Sequence, residues 1–127
     1  MSVPAELRYS TDHEWVRREG DLVRVGITDY AQNALGDVVF VELPELGAVV
    51  AADASFSEIE STKSVSDVFA PISGEVVEVN TSLEEQPELV NAAPYGDGWI
   101  CVIRPSNPAE FDALLDAAGY EALIAEE

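Results

Sequence analysis

The sequence predicts a mainly β fold, a small sandwich or flattened barrel with a helix packed on it. Three observations predict it: short β-prone runs recur at close spacing, turn signals separate them, and one helical stripe stands near the C-terminus.

The elements follow in order. Glu14-Trp15-Val16-Arg17 and Leu22-Val23-Arg24-Val25-Gly26-Ile27 are β-prone and joined by the turn signal Glu19-Gly20-Asp21, so they form a hairpin. Asp29-Tyr30-Ala31-Gln32 sets an N-cap acceptor three residues before Gln, and Gly36 follows Leu35 as a stop, which predicts a short internal helix. Asp37 to Leu43 is dense in β-branched residues and stops at Pro44, as a largely buried strand does. Three more runs lie between Ser55 and Val79, separated by Thr62-Lys63-Ser64 and by Ala70-Pro71-Ile72-Ser73-Gly74. Pro87-Glu88-Leu89-Val90 reads as one helical turn, Pro94 to Gly98 as a loop, and Trp99 to Ile103 as a late strand. Asn107-Pro108-Ala109-Glu110 then opens a terminal helix whose stripe is Phe111, Leu114, Leu115 and Ala118, with Gly119 bending or interrupting it.

Composition narrows the function. Twenty-five Asp plus Glu against 6 Lys plus Arg leave a net charge of −19 on a chain of 127 residues with an ordinary 47% apolar fraction. Such a chain repels phosphate backbones and anionic lipid, so neither nucleic acid nor membrane is an expected partner, and proteins with basic patches are. The first residues, Met1 to Glu6, carry no basic start or apolar segment, and no apolar run is long enough to span a bilayer. With a single cysteine, Cys101, a cytoplasmic setting is expected.

Lys63 is the only lysine. It falls between two β-prone runs among small polar neighbours, as an exposed hairpin tip would, so a modifying enzyme finds no competing side-chain amine. Catalysis by Lys63 itself would require desolvation or nearby positive charge, and its neighbours include Glu60 and Asp67. His13, the only histidine, has potential partners adjacent in sequence that seldom converge on one point, so a structural or partner-facing role is expected. Cys101 lies in an apolar run and reads as a core residue. No calcium-loop spacing or Gly-rich phosphate cradle is present, so no metal and no catalytic residue are expected.

The segment from Ile59 to Gly74, around Glu60-Ser61-Thr62-Lys63-Ser64, resembles the lipoyl-attachment segment of the glycine cleavage H-protein family. Asp12-His13-Glu14-Trp15-Val16, Gly26 to Gln32, Leu35 to Pro44, Pro87 to Asn91 and Pro94 to Trp99 resemble further blocks of that family in its order, covering most of the chain from about 8 to 104. Thr62 and Ser64 stand where Val and Ala are common.

The resemblance implies a lipoyl-domain-like fold, a flattened β-barrel/sandwich hybrid. It gives one lipoyl-carrier domain over 1–127, with its core at about 8–104 and its C-terminal helix at about 108–125. It further implies one lipoate joined covalently to Lys63, with Glu60 and Asp67 recognised by the lipoate ligase or lipoyl transferase. Three more partners follow. A pyridoxal-phosphate glycine decarboxylase loads the arm with an aminomethyl group, an aminomethyltransferase passes that unit to tetrahydrofolate, and a dihydrolipoyl dehydrogenase using FAD and NAD takes the electrons. The chain itself would be a non-catalytic carrier. Because the loaded amine is basic and easily lost to water, a surface carboxylate near the hairpin is expected to hold the arm, and Glu14 is the candidate.

Other readings are weaker in sequence. Biotin carriers flank their lysine with methionines, and here Met1 is the only one. Lipoyl domains of 2-oxoacid dehydrogenases share Glu60 and Lys63 but belong to longer chains. A relay of lipoyl groups to other proteins and an unlipoylated interaction module are separated from the carrier by glycine-dependent loading.

Overall fold

The computed structural model describes residues 2–127. Nine strands, β1 (Arg8–Tyr9), β2 (Glu14–Glu19), β3 (Leu22–Ile27), β4 (Val38–Glu42), β5 (Val49–Val50), β6 (Ser55–Ser61), β7 (Val65–Phe69), β8 (Gly74–Val79) and β9 (Cys101–Pro105), form two antiparallel sheets. The larger has the order β1-β2-β3-β9-β8-β5 and the smaller β4-β6-β7. Among the described residues there are five short helices, three between strands, α1 (Asp29–Leu35), α2 (Ser82–Glu85) and α3 (Leu89–Ala92), and two after the last strand, α4 (Pro108–Asp112) and α5 (Ala117–Ala125).

The alternation along each strand decides which side chains meet. Val16, Val23, Val25 and Ile27 of the large sheet pack with Val41, Ile59 and Val68 of the small one, together with Ile72, Val76 and Ile103, as the main core. Cys101 belongs to this core, as expected, and burial pushes its thiol pKa up, away from reactivity. The opposite face of β2 is also covered. There Trp15 joins Leu7, Tyr9 and Tyr120 in a second cluster under α5, with the rings of Tyr9 and Tyr120 stacked at 4.6 Å. Burial on both faces is why Glu14-Trp15-Val16 does not read as a half-buried strand. A Cβ on Gly26, the cross-strand partner of Trp15, would lie 2.6 Å from three indole atoms, so the position accepts only hydrogen.

Three expectations are corrected. The cap of α1 is Thr28, whose hydroxyl accepts from the Ala31 amide at 3.2 Å; Asp29 is inside the helix and accepts from the Gln32 side chain at 2.7 Å. Strand β4 is not largely buried, because it is an edge strand whose outer face nothing covers; Val38 and Val41 point inward, while Val39, displaced by a bulge, and Phe40 are exposed. The terminal helix is two helices, and the break precedes Gly119. Leu115 leaves the helical path to exchange two 2.8 Å backbone hydrogen bonds with Tyr9, and Asp116 then caps α5 by accepting from the Gly119 amide at 2.8 Å. Asn107 does cap α4 as expected, accepting from Ala109 at 3.2 Å. The strands β1 and β5 and the helix α2 are too short to leave a period in the sequence.

Candidate functional site: a hairpin lysine beside a cleft

Lys63 is exposed in the loop between β6 and β7. The loop is stiffened by one side chain. The buried Ser61 hydroxyl accepts from the amides of both Lys63 and Ser64 at 3.1 Å, while the Ser61 amide donates to the Ser64 carbonyl at 2.8 Å. Thr62 donates its amide to the Asp37 carbonyl at 3.0 Å, tying the tip to the start of β4. The lysine stem runs over Gly36, where a Cβ would stand 3.0 Å from Lys63 Cε and the backbone holds φ at +84°. Only glycine adopts that conformation easily, so the stop residue of α1 also leaves room for the lysine.

A cleft of about 280 Å3 opens one residue beyond Lys63. Ser64 to Val68 form one side and α1 another, and Ile27, Ala31, Leu35 and Ile59 supply apolar wall. Asp12, His13, Glu14 and Tyr30 supply polar wall.

Glu14 is not the surface carboxylate the sequence suggests. It is 2% exposed, because Trp15 and Val16 beside it are drawn into two different cores and β2 carries it down with them. Its Oε1 accepts from the Ser10 hydroxyl at 2.5 Å and its Oε2 from the Phe69 amide at 3.3 Å. Desolvation raises its pKa to about 8; the two donors oppose the shift, and Asp12 and Asp53 add to it. Burial thus favours its protonated form, and a cation in the cleft would favour the charged one.

His13 lies in a tight turn at φ +72°, and its Nδ1 is 2.8 Å from the Tyr120 hydroxyl, which is also 2.7 Å from Thr28 Oγ1. Its Nε2 is 3.2 Å from a carboxylate oxygen of Glu127. These contacts give it a structural place at the rim. Sequence reasoning assigned no role to Ser10, Thr28, Tyr30 or Tyr120; the signals were that Ser10 neighbours His13 and that Thr28 and Tyr30 fall in the block from Gly26 to Gln32, while Tyr120 had none. Glu60 and Asp67 are both exposed, at cross-strand positions two residues apart on the outer side of the hairpin, with Glu58 opposite Asp67 and Val65 opposite Glu60. The backbone near Asp67 also borders the cleft, whereas Glu60 does not. Among the described residues, no group of three or more His, Cys, Asp or Glu is arranged to hold a metal ion, and no helix is long and apolar enough to cross a membrane.

An exposed lysine next in sequence to a cleft with apolar walls and a buried carboxyl in its lining fits a long, mostly aliphatic arm with a polar end. The family model of the glycine cleavage H-protein matches residues 7–127. The chain belongs to that family. Members are lipoyl carriers of the glycine cleavage system. A glycine cleavage system H protein of Symbiobacterium thermophilum is 58% identical over 125 residues, covering 98% of both chains. One from Geobacillus kaustophilus is 57% identical over 126 residues, 99% of each. The fold is likewise shared with the crystal structure of a glycine cleavage system H protein from Mycobacterium marinum, at a TM-score of 0.89 and 44% identity over 97% of this chain and 99% of that one. The two-sheet architecture of this family is therefore the lipoyl-domain-like barrel/sandwich hybrid expected from the sequence.

Proposed function

We propose that the lipoyl group is joined through an amide to Lys63 and that the chain acts as a carrier that catalyses no step itself. One observation carries the reading: the only lysine stands exposed on a stiffened tip, with a cleft starting at the next residue. In attachment, the deprotonated Nζ of Lys63 attacks an activated lipoyl carboxyl; the C–N bond forms and the activating group leaves with its electron pair. When bound, the lipoyl group would supply a cyclic disulfide that is reduced as it takes up an aminomethyl unit and that, as the dithiol left once the unit departs, gives two electrons up.

The residues of the chain position and protect. The hydroxyl of Ser61 fixes the loop that carries Lys63, and Gly36 leaves room for the lysine stem. Glu14, aimed by Ser10 and Phe69, ionises to meet an ammonium at the end of the arm, while the apolar wall of Ile27, Ala31 and Leu35 limits water. Glu60 and Asp67 are the residues by which a ligase or transferase distinguishes this lysine. The partners that follow from the system are the decarboxylase with pyridoxal phosphate, the aminomethyltransferase with tetrahydrofolate and the dihydrolipoyl dehydrogenase with FAD and NAD, meeting the carrier in the cytoplasm.

The test is the intact mass of the protein after incubation with lipoate, ATP and a lipoate ligase. Wild type is expected to gain one lipoyl unit and Lys63→Arg none. A gain in the variant, or none in wild type, overturns the assignment.

A further inference from the structure

The outer face of the small sheet carries a pattern that the carrier reading leaves unused. Cross-strand registry sets Phe40, Glu60 and Val65 in one row, and Glu42, Glu58 and Asp67 in the next. Among the described residues all six of these side chains are exposed. Phe40 is 52% and Val65 58% exposed, two large apolar side chains standing on either side of Glu60, next to the Lys63 loop. Among the described residues no ion pair reaches the four carboxylates, and the Asp67 carboxylate accepts only from the Ser55 hydroxyl at 3.2 Å.

The arginines are all elsewhere. Arg8, Arg17, Arg18, Arg24 and Arg104 lie on β1, β2, β3 and β9 of the large sheet, where Glu19 and Glu75 pair with three of them. Charge is thus segregated by sheet. The small sheet presents an apolar contact bordered by uncompensated negative charge.

We propose that this face docks the enzyme that modifies Lys63, a protein presenting apolar side chains flanked by Lys and Arg; the proposal rests on the assignment of Lys63 as the attachment site. Reach selects this occupant. A modifying enzyme must bring its reacting centre to the end of a bare lysine stem, so its surface must lie against residues beside the tip. Enzymes served by a loaded arm meet the far end of a much longer tether and need no contact there. The stem lies against Gly36 at the end of α1, and the exposed carboxylates and apolar side chains of β6 and β7 stand beside the tip. Apolar burial by Phe40 and Val65 supplies affinity, and the carboxylate row supplies orientation and encounter rate.

The experiment measures kcat/KM for attachment by intact mass, with a lipoate ligase, lipoate and ATP, for wild type, the double variant Phe40→Ser/Val65→Ser and, independently, Glu58→Lys. All three side chains are exposed, so thermal melting is expected to match wild type. Both variants are expected to lose at least tenfold in kcat/KM, and the wild-type value to fall several-fold as salt is raised from low to about 0.3 M. Attachment to both variants at the wild-type rate overturns the proposal. So does normal attachment combined with loss of glycine-dependent loading by the decarboxylase, which would give the face to that partner. Wild type that gains no lipoyl mass overturns the Lys63 assignment as well, so the two failures are distinguishable.

Discussion

The Ser10 hydroxyl donates to Glu14 Oε1 at 2.5 Å at the base of the cleft, and the same hydroxyl oxygen accepts the Glu14 amide at 3.1 Å. A short turn of the chain thereby holds a buried carboxyl in one orientation. Burial raises its pKa from 4.5 to about 8, so between those values the folded state keeps a proton that the unfolded chain has released. Stability therefore falls as pH rises through this window and levels off above it. Glu14→Gln, which stays neutral, is expected to flatten that part of the pH profile and to raise stability above pH 8 by up to a few kcal/mol, at about 1.4 kcal/mol for each tenfold difference in proton affinity between the folded and unfolded chain. Thermal melting from pH 4 to 9 checks it; parallel profiles for variant and wild type would disprove the ionisation.

The same variant separates the cleft from the fold. With Glu14→Gln, or Glu14→Ala, hydrolytic loss of the aminomethyl load is expected to accelerate about tenfold, the loss of one charge-assisted contact. Ammonia release from the loaded carrier, measured without the transferase partner, reports it. An unchanged rate removes Glu14 from the role.

Gly36→Ala should act at two levels. A side chain at φ +84° is strained by about 1–3 kcal/mol, and its Cβ would press on Lys63 Cε from 3.0 Å. Urea unfolding is expected to register the strain, and lipoyl attachment to slow because the lysine stem is displaced. A variant equally stable and equally modified would refute the reading of that contact.

Under the second cluster, Gly26→Ala would set a methyl 2.6 Å from the Trp15 indole. Trp15 cannot move far, because its Nε1 donates to the Pro94 carbonyl at 2.8 Å. A loss of about 1–3 kcal/mol is expected from overpacking. Denaturant unfolding, followed by tryptophan fluorescence, measures both the loss and the shift in indole environment.

Tyr120→Phe removes the hydroxyl that joins Thr28 Oγ1 and His13 Nδ1. A cost of about 1–2 kcal/mol in urea unfolding is expected, together with changed NMR chemical shifts of the His13 ring. His13 ring shifts identical to wild type would show that the contact does not hold the ring.

Part of this molecule is legible in its residues. Lys63 stands out because composition leaves one lysine and the flanking runs leave it at a tip; β-prone runs between turn signals locate β2, β3, β4, β6, β7, β8 and β9; and Asn107-Pro108 marks the start of α4. These are local signals, each contained within a few residues. The N-cap of α1 is ambiguous by one position because Thr28 and Asp29 are both good cap residues, and only the backbone conformation at Thr28 chooses between them.

The remainder depends on contacts far apart in the chain. Nothing around Leu115 announces that it will pair with Tyr9 and end a helix, nor does the composition of β4 reveal that one face will lack a covering layer. Glu14 gives the sharpest case. The sequence determined that a carboxylate would sit beside Trp15 and Val16 on a strand. Whether it faced water or the base of a cleft was decided by the tertiary structure, because α5 covers one side of β2 and the small sheet the other, and the energy of a carboxyl depends on what surrounds it in space.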